Sequence, residues 1–267
     1  MFWRNGELIE HIDVRDRSFQ YGDGCFTTLL VKERVIQHWP LHQQRLQLAC
    51  QRLGIDMPNW SQLYSGVQSV IPDLPRVGVK IHLSRGMGGR GYQCQGVEGP
   101  SVVISTFDYP LHYQQWQREG IALALSDVKL GLNPLLAGIK HNNRLEQILA
   151  KQSLHDDNGC DAVMLNINDH VIETTIANLF WFKNNVLYTP KLDLSGVCGV
   201  MRKVVIETAE RLGIECRQGD YFVSDLLSAQ EVFTTNCLME VVPVNQFLGQ
   251  GYVSKTITQR LQEEILS

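Results

Sequence analysis

The chain has 267 residues, of which 44% are hydrophobic and 19% are charged, and its formal net charge at pH 7 is −4. This length suits one large domain or two modest ones with a buried core, and the composition excludes a disordered chain. The slightly acidic balance gives no general electrostatic reason to expect nucleic acid as a partner. An anionic small-molecule substrate would therefore need a local basic pocket.

The cysteines and the chain start bear on the compartment. Seven cysteines are scattered without a Cys-x-x-Cys pair, which argues against a disulfide framework and a zinc ribbon, so no metal site is predicted. Free thiols suit a reducing compartment. The first ten residues lack the basic-then-apolar layout of a signal peptide, and no apolar run approaches the roughly 18 residues of a membrane span. We expect a cytoplasmic protein with no membrane partner.

The first 110 residues predict a small α+β domain. The chain opens with a strand, a turn and a second strand over 2–9. Hydrophobic periodicity then predicts a strand at 27–31, helices at 41–53 and 60–71, and strands at 77–84 and 101–106. A glycine-rich loop, Arg85–Gly91, separates the last two strands. The polar stretch 111–119 predicts an interdomain loop.

Residues 120–267 predict a larger α+β domain. The predicted strands are 121–125, 161–166, 170–173, 178–182, 186–189 and 232–235, and the predicted helices are 142–156, 199–212 and 256–266. The segment 131–140 carries Pro134 and predicts a loop. Many hairpins without strict β-α alternation indicate an α+β fold class.

The loop Gly86–Gly91 matches the dinucleotide pattern G-x-G-x-x-G and follows a predicted strand. A nicotinamide site also needs a helix directly after the third glycine, and 92–100 is a poor helix. A nicotinamide oxidoreductase is therefore nearly excluded. The loop is either plain surface or carries Arg85, Arg90 and Tyr92 to an anionic ligand, since the guanidinium fork suits carboxylates.

Four further features have both a structural and a chemical interpretation. Lys140 is either a solvated ammonium or, among apolar groups that disfavour its charge, an amine able to form a Schiff base. Glu173, at a strand end, is either a surface carboxylate or a buried one that needs a cationic partner such as a protonated pyridine nitrogen. The helix start Gly199–Arg202 offers backbone N–H groups to an anion. Arg45 lies on a predicted helix surface.

Five blocks, taken in their order, resemble the fold-type-IV pyridoxal-phosphate (PLP) enzymes of the class-IV aminotransferase family over nearly the whole chain. The blocks are His42–Leu46, Lys140–Leu145, Glu173–Phe180, Gly199–Arg202 and Val232–Asn236. The resemblance implies two domains, a small one over 1–110 and a large one over 120–267 with mixed sheets, a barrel-like core and flanking helices. It also implies PLP as cofactor and a homodimer.

Within this family, three stretches are similar to aminodeoxychorismate lyases: Phe19–Thr28, Ser84–Tyr92 and Gly138–Gln147. The related aminotransferases commonly carry a glutamate where this chain has Thr27, and they lack the doubled-glycine loop. The resemblance implies elimination of pyruvate from 4-amino-4-deoxychorismate to give p-aminobenzoate, a folate precursor. A D-amino-acid or branched-chain aminotransferase and a non-catalytic PLP-fold protein remain the alternatives.

Residue roles follow from the resemblance alone. Lys140 would bind PLP covalently and serve as the catalytic acid and base, and Glu173 would pair with the pyridine nitrogen. The phosphate would be held by Arg45, the amides of Val200 and Met201, and the backbone at Asn236 and Cys237. The substrate would contact Arg90, Tyr92, Arg85 and Thr28. Met201 stands where many relatives have threonine, so a hydroxyl contact to phosphate is lost while backbone donors remain.

Overall fold

The computed structural model describes residues 1–4, 6–154 and 161–266, which form two compact units. Unit 1 comprises Met1–Pro110 and Ile139–Asn143, and unit 2 comprises Leu111–Gly138 and Arg144–Ser267. The short segment that contains Lys140 therefore belongs to unit 1, while the chain on either side of it belongs to unit 2. The predicted domain limits stay a prediction.

Unit 1 is a sheet with its two longest helices packed on one face. Its elements are β1 (Phe2–Arg4), β2 (Glu7–Leu8), α1 (Arg17–Tyr21), β3 (Gly24–Lys32), β4 (Val35–Ile36), α2 (Trp39–Leu53), α3 (Trp60–Val70), β5 (Arg76–Ser84), β6 (Met87–Gly88), β7 (Val97–Glu98) and β8 (Ser101–Asp108). Six strands form an antiparallel sheet in the order β2-β1-β8-β5-β3-β4, and β6 pairs with β7.

The core of unit 1 follows from strand alternation. Leu29 and Val31 of β3 and Val79 and Ile81 of β5 are buried in one cluster with Leu46 of α2. Alternate residues of a strand face opposite sides, so these apolar positions face the helices while their neighbours form the other face. Helix α2 carries Pro in its first turn and ends at a left-handed glycine, as its sequence predicts.

Unit 2 is built on a nine-stranded mixed sheet. Its elements are α4 (His112–Glu119), β9 (Ile121–Leu125), α5 (Leu145–Gln152), β10 (Asp161–Leu165), β11 (Val171–Thr174), β12 (Asn178–Lys183), β13 (Val186–Pro190), α6 (Val200–Arg211), β14 (Glu215–Gly219), α7 (Val223–Leu227), β15 (Glu231–Asn236), β16 (Glu240–Phe247), β17 (Gln250–Gly251) and α8 (Thr256–Leu266). The order is β11-β10-β9-β16-β15-β12-β13-β14, and β17 pairs with β16. Helices α6 and α8 pack through Val205, Ala209 and Leu261 onto the stacked rings of Phe180 and Phe233.

The structure confirms the α+β class and corrects two predicted segments. Residues 111–119, predicted as an interdomain loop, hold helix α4, whose Tyr113 and Trp116 pack against the core of unit 2. The predicted helix 142–156 begins only at Leu145, because the Asn142 amide pairs with the carbonyl of Gly24 in an extended conformation. Its predicted end at 155–156 lies outside the described residues.

In unit 2, strands β14 and β16 and helix α7 were not predicted. Pro243 lies within β16 and weakens its strand pattern. Within the described ranges, no helix is long and apolar enough to cross a membrane.

Candidate active site

Lys140 is fixed to strand β3 through its backbone. The amide of Phe26 donates to the carbonyl of Lys140 at 2.9 Å, and the amide of Asn142 donates to the carbonyl of Gly24 at 3.1 Å. Cys25 and His141 lie opposite each other as an isolated antiparallel bridge. The neighbouring Ile139 is buried in the core of unit 1. The segment thus extends the pairing of unit 1 and determines where the Lys140 side chain begins.

The amine of Lys140 shares an aromatic ring with a second lysine. Its Nζ lies 4.8 Å from the centre of the Phe26 ring, and Nζ of Lys80 lies 4.4 Å from the same centre. Lys80 is opposite Thr28 in the pairing of β3 with β5, and Thr28 is half-buried. Burial lowers the pKa of Lys80. Two cations at one ring give unit 1 the local basic surface that an anionic ligand requires.

Residues behind the lysine segment form a polar network. The Asn142 side chain donates to the Ser18 hydroxyl at 2.7 Å, and that hydroxyl lies 2.9 Å from Nε2 of His82. Ser84 donates to Asp16 at 2.7 Å, and the Ser18 amide donates to the same carboxylate oxygen. Burial, aided by the charge of Lys80, lowers the pKa of His82. A neutral histidine therefore takes part in holding the segment.

Arg45, on helix α2, is half-buried and donates through Nη2 to the hydroxyl of Thr27. Thr27 lies between Phe26 and Thr28 on β3, and strand alternation points its side chain to the opposite face, towards α2. The predicted phosphate ligand is thus a cation of unit 1 held by a buried hydroxyl.

Arg85 is engaged within unit 1. Its guanidinium donates to Asp23 at 2.7 and 3.0 Å and to the carbonyl of Leu53 at 2.8 Å, so it closes the C-terminal end of α2. Asp23 also accepts from Arg17 at 2.8 Å. Burial opposes the ionisation of Asp23, but the hydrogen bonds of Arg85 and Arg17 outweigh it, so the pKa of Asp23 is lowered.

Arg90 and Tyr92 are exposed at the tip of the glycine-rich loop, and Tyr92 is 90% exposed. The loop backbone is nevertheless anchored, because Nη1 of Arg17 donates to the carbonyls of Gly91 and Gln93 at 3.0 and 3.3 Å. The Tyr92 ring lies 5.8 Å from that of Tyr21. The loop presents these two side chains on a fixed frame.

No helix follows the glycines over 92–100, all of which are described, and strands β6 and β7 form a hairpin there instead. At Gly86, where φ is +121°, a side chain would overlap the backbone of Glu98. The glycines therefore serve close packing of a hairpin, and the geometry of a dinucleotide site is not present in this segment.

Glu173 is a buried carboxylate of unit 2, with 5% of its surface exposed. Its Oε2 accepts from the amide of Val197 at 2.9 Å, and its Oε1 accepts from Gln147 at 3.5 Å. The Arg144 guanidinium interacts electrostatically with it; burial lowers the pKa of Arg144, and the charge of Glu173 opposes that shift. A buried carboxylate with a donor on each oxygen is an acceptor for a further cation.

The start of helix α6 presents backbone N–H groups. No described side chain caps it, and Gly199 donates instead to Oδ1 of Asn178 at 3.1 Å. A Cβ at Gly199 would clash with that same oxygen. The amides of Val200 and Met201 belong to the first turn of the helix, where no intrahelical acceptor exists. They suit a phosphate group.

Asn236 and Cys237 form a turn after strand β15. The Asn236 side chain accepts from the amides of Leu238 and Met239, each at 2.9 Å, and donates to the carbonyl of Ile176 at 3.2 Å. The Asn236 side chain therefore shapes the turn, and the role of the Asn236 and Cys237 backbone as phosphate ligands stays a prediction.

Sequence reasoning missed Lys80, His42 as a buried group, and the donors around Glu173. Lys80 had a signal: a lysine at an alternating position in an otherwise apolar strand. The partners of Glu173 had none, because Gln147 and Val197 are distant in sequence.

The chain matches the family Amino-transferase class IV over residues 24–247. It is 47% identical over 245 residues to the aminodeoxychorismate lyase of Vibrio harveyi, covering 92% of this chain and 90% of that protein. It is 27% identical to the D-alanine aminotransferase of Bacillus licheniformis, covering 98% of this chain and 96% of that protein. The crystal structure of 4-amino-4-deoxychorismate lyase from Pseudomonas aeruginosa superposes with a TM-score of 0.94 at 31% identity, covering 99% of this chain and 98% of the other.

Proposed function

Because the chain belongs to the class-IV aminotransferase family, we propose that it is a PLP-dependent 4-amino-4-deoxychorismate lyase. The observation that carries this proposal is the Lys140 amine, which is fixed to β3 and lies against Phe26 beside a second cation. An amine so placed serves as nucleophile and base while its surroundings attract carboxylates. The similarity to the Vibrio harveyi lyase, which exceeds that to the aminotransferase, supports the choice of reaction.

The donor set fits PLP. Lys140 supplies the amine for the aldehyde, and Glu173 supplies a buried carboxylate for a protonated pyridine nitrogen. Phosphate ligands are Arg45, the amides of Val200 and Met201, and the backbone of Asn236 and Cys237. PLP, when bound, withdraws electron density from the carbon that carries the substrate nitrogen.

The protein's residues then perform the elimination. Nζ of Lys140 removes the proton from the carbon that bears the substrate amine, and the adjacent C–O bond breaks with loss of enolpyruvate, which becomes pyruvate. Glu173 keeps the positive charge on the pyridine nitrogen. The carbon ring becomes aromatic, so release of p-aminobenzoate is strongly favourable.

The substrate carboxylates require cations and hydrogen-bond donors. We propose that Arg90 and Lys80 are the cations and that the hydroxyls of Tyr92 and Thr28 donate hydrogen bonds, with Arg90 and Tyr92 on the exposed tip of the loop and Lys80 and Thr28 on the half-buried face of the sheet. Arg85 would contribute by holding the loop, because its guanidinium is engaged with Asp23 and the end of α2. The sequence-based role of Arg85 as a direct ligand stays a prediction.

A D-amino-acid or branched-chain aminotransferase is the alternative. Both reactions need the same lysine and carboxylate, and they differ in whether a leaving group departs or a proton returns to the cofactor. The deciding assay supplies 4-amino-4-deoxychorismate and follows pyruvate and p-aminobenzoate, which should form in equal amounts. In parallel, D-alanine with 2-oxoglutarate should give much slower turnover; comparable turnover would favour the aminotransferase.

Cofactor binding is checked independently by absorption. The purified protein should show the visible band of PLP joined to a lysine, and Lys140→Ala should lose it. A colourless wild type that takes up no added PLP would contradict the proposed lyase. It would also exclude the alternative of a non-catalytic PLP-binding protein.

We further propose a homodimer that acts in the cytoplasm in folate precursor synthesis. Helix α5 supports self-association, because Leu145, Ile148 and Leu149 are all exposed apolar residues. Sedimentation of the wild type against Leu145→Lys tests this, and a monomeric wild type would contradict it.

A further inference from the structure

A buried hydrogen-bonded chain connects strand β3 to helix α2 at Arg45. Thr27 and His42 are both 0% exposed. The Thr27 hydroxyl lies 2.6 Å from Nδ1 of His42, and Nη2 of Arg45 donates to the same hydroxyl. The three side chains thus form one chain from the core of unit 1 to the half-buried guanidinium.

A guanidinium only donates, so the Thr27 oxygen accepts from Arg45. We assign the one proton of Thr27 to Nδ1 of His42, because His42 is the other hydrogen-bond partner of that hydroxyl among the described residues. The proton of His42 is then on Nε2. Burial, together with the charges of Arg45 and His38, holds the pKa of His42 well below its ordinary value, so the ring is neutral and can accept.

A histidine at this buried position lowers the stability of the fold. Its Nε2 is buried and has no hydrogen-bond partner among the described residues. A buried N–H without a partner destabilises the fold, and the neighbouring Leu46, Ala49 and Cys50 fill the same core with apolar groups. A residue present only for packing would be apolar here, so the acceptor at Nδ1 is the feature that distinguishes histidine.

We propose that His42 is a positioning residue that acts through Thr27: it fixes the hydroxyl so that its lone pair holds the Arg45 guanidinium in the orientation that receives the phosphate of PLP. This inference rests on the proposed function, which makes Arg45 a phosphate ligand.

The benefit is preorganisation. An arginine loses considerable rotamer freedom when it binds an anion, and a guanidinium already held at one nitrogen by the Thr27 hydroxyl has less of that freedom to lose. Phosphate binding should therefore weaken when the chain is broken, although neither Thr27 nor His42 contacts the phosphate.

The test compares two ligands of the full-length apoprotein, PLP and pyridoxal, which lacks the phosphate. The ratio of PLP affinity to pyridoxal affinity measures the contribution of the phosphate without any activity measurement. We expect Thr27→Val to lower PLP affinity about tenfold and to leave pyridoxal affinity unchanged, since it removes one charge-assisted hydrogen bond at constant volume. Thr27→Ser, which keeps the hydroxyl, should retain the ratio.

The histidine is tested by a second pair. His42→Leu should lower the ratio as Thr27→Val does, and His42→Asn, whose amide oxygen can accept near the position of Nδ1, should recover most of it. If His42→Leu fails to fold, as judged by circular dichroism, the Thr27 pair and His42→Asn decide the matter: an unchanged ratio in Thr27→Val overturns the proposal.

Arg45→Gln distinguishes a failure of the proposed phosphate role of Arg45 from a failure of the inference about His42. If it leaves the ratio unchanged, the phosphate role of Arg45 in the proposed function is wrong. If it lowers the ratio while Thr27→Val and His42→Leu do not, Arg45 binds phosphate without the chain, and only the inference about His42 is overturned.

Discussion

The two units contribute to the proposed reaction by different means. Unit 1 supplies side-chain cations, namely Lys140, Lys80 and Arg45, each held by neighbours on β3. Unit 2 supplies one buried carboxylate and backbone amides at the start of α6. Side-chain groups depend on the residues that orient them, whereas backbone donors depend on the path of the chain. Substitutions should therefore act through orientation in unit 1 and through backbone geometry in unit 2.

The largest effect in unit 1 should come from its amine. Lys140→Ala should reduce pyruvate release at least about a thousandfold, because it removes both the nucleophile and the proton carrier. Lys80→Ala is the matched control: it lies at the same Phe26 ring but should keep the visible absorption band. Loss of the band in Lys80→Ala and its retention in Lys140→Ala would reverse the assignment.

The largest effect in unit 2 should come from Glu173. Glu173→Gln keeps an acceptor for the Val197 amide but removes the charge, so kcat should fall about a hundredfold while the protein still binds PLP. Glu146→Gln, an exposed carboxylate on α5, should retain activity. An undiminished kcat in Glu173→Gln would mean that this carboxylate serves Arg144 and the fold alone.

The glycine-rich loop distinguishes exposed from engaged arginines within unit 1. Arg90→Gln should raise KM about tenfold, by loss of a charged hydrogen bond, without changing thermal stability. Arg85→Gln should lower the melting temperature, because Asp23 loses a partner. Calorimetry and steady-state kinetics on both variants check the contrast, and an unaffected KM in Arg90→Gln would remove that residue from the substrate site.

Backbone geometry is tested at the start of α6. Gly199→Ala should weaken PLP binding about tenfold, since its Cβ clashes with Asn178 and must displace the first turn. Met201→Thr alters only the side chain and should bind PLP at least as tightly as the wild type. Equal affinities for all three proteins, measured by PLP titration, would show that these amides do not hold the phosphate.

The smallest expected effect is a change in how the free energy of unfolding depends on pH. The pKa of His42 in the folded protein lies below its unfolded value of about 6.5. As the pH falls, the unfolded state therefore takes up the proton first, so the free energy of unfolding is highest above about pH 6.5 and decreases below it. His42→Asn should reduce the slope between roughly pH 6.5 and 5 by at most about 1.4 kcal/mol per pH unit. The pKa of His82 is also lowered, so some pH dependence of the free energy of unfolding remains in this variant. Urea unfolding across this range checks it, and an unchanged slope would mean that His42 is charged when folded.

Some of this was predictable from local sequence. The helices at Trp39–Leu53 and Val200–Arg211 and the strands at Arg76–Ser84 and Ile121–Leu125 follow the expected periodicities, because their apolar faces match the core they pack against. The prediction of a loop over 111–119 was wrong. The helix there depends on Tyr113 and Trp116, whose aromatic rings pack against the core of unit 2, and that packing cannot be read from neighbouring residues.

By itself, the sequence determined the α+β class, the absence of a helix after the glycine loop, and, through five ordered blocks, the family. Periodicity and glycine placement are properties of neighbouring residues, so they can be read without the fold. The tertiary structure alone decided that Arg85 turns to Asp23, that Lys80 joins Lys140 at one ring, and that Thr27 and His42 hold Arg45. Each of these depends on which strand or helix lies beside which, and long-range packing sets that arrangement.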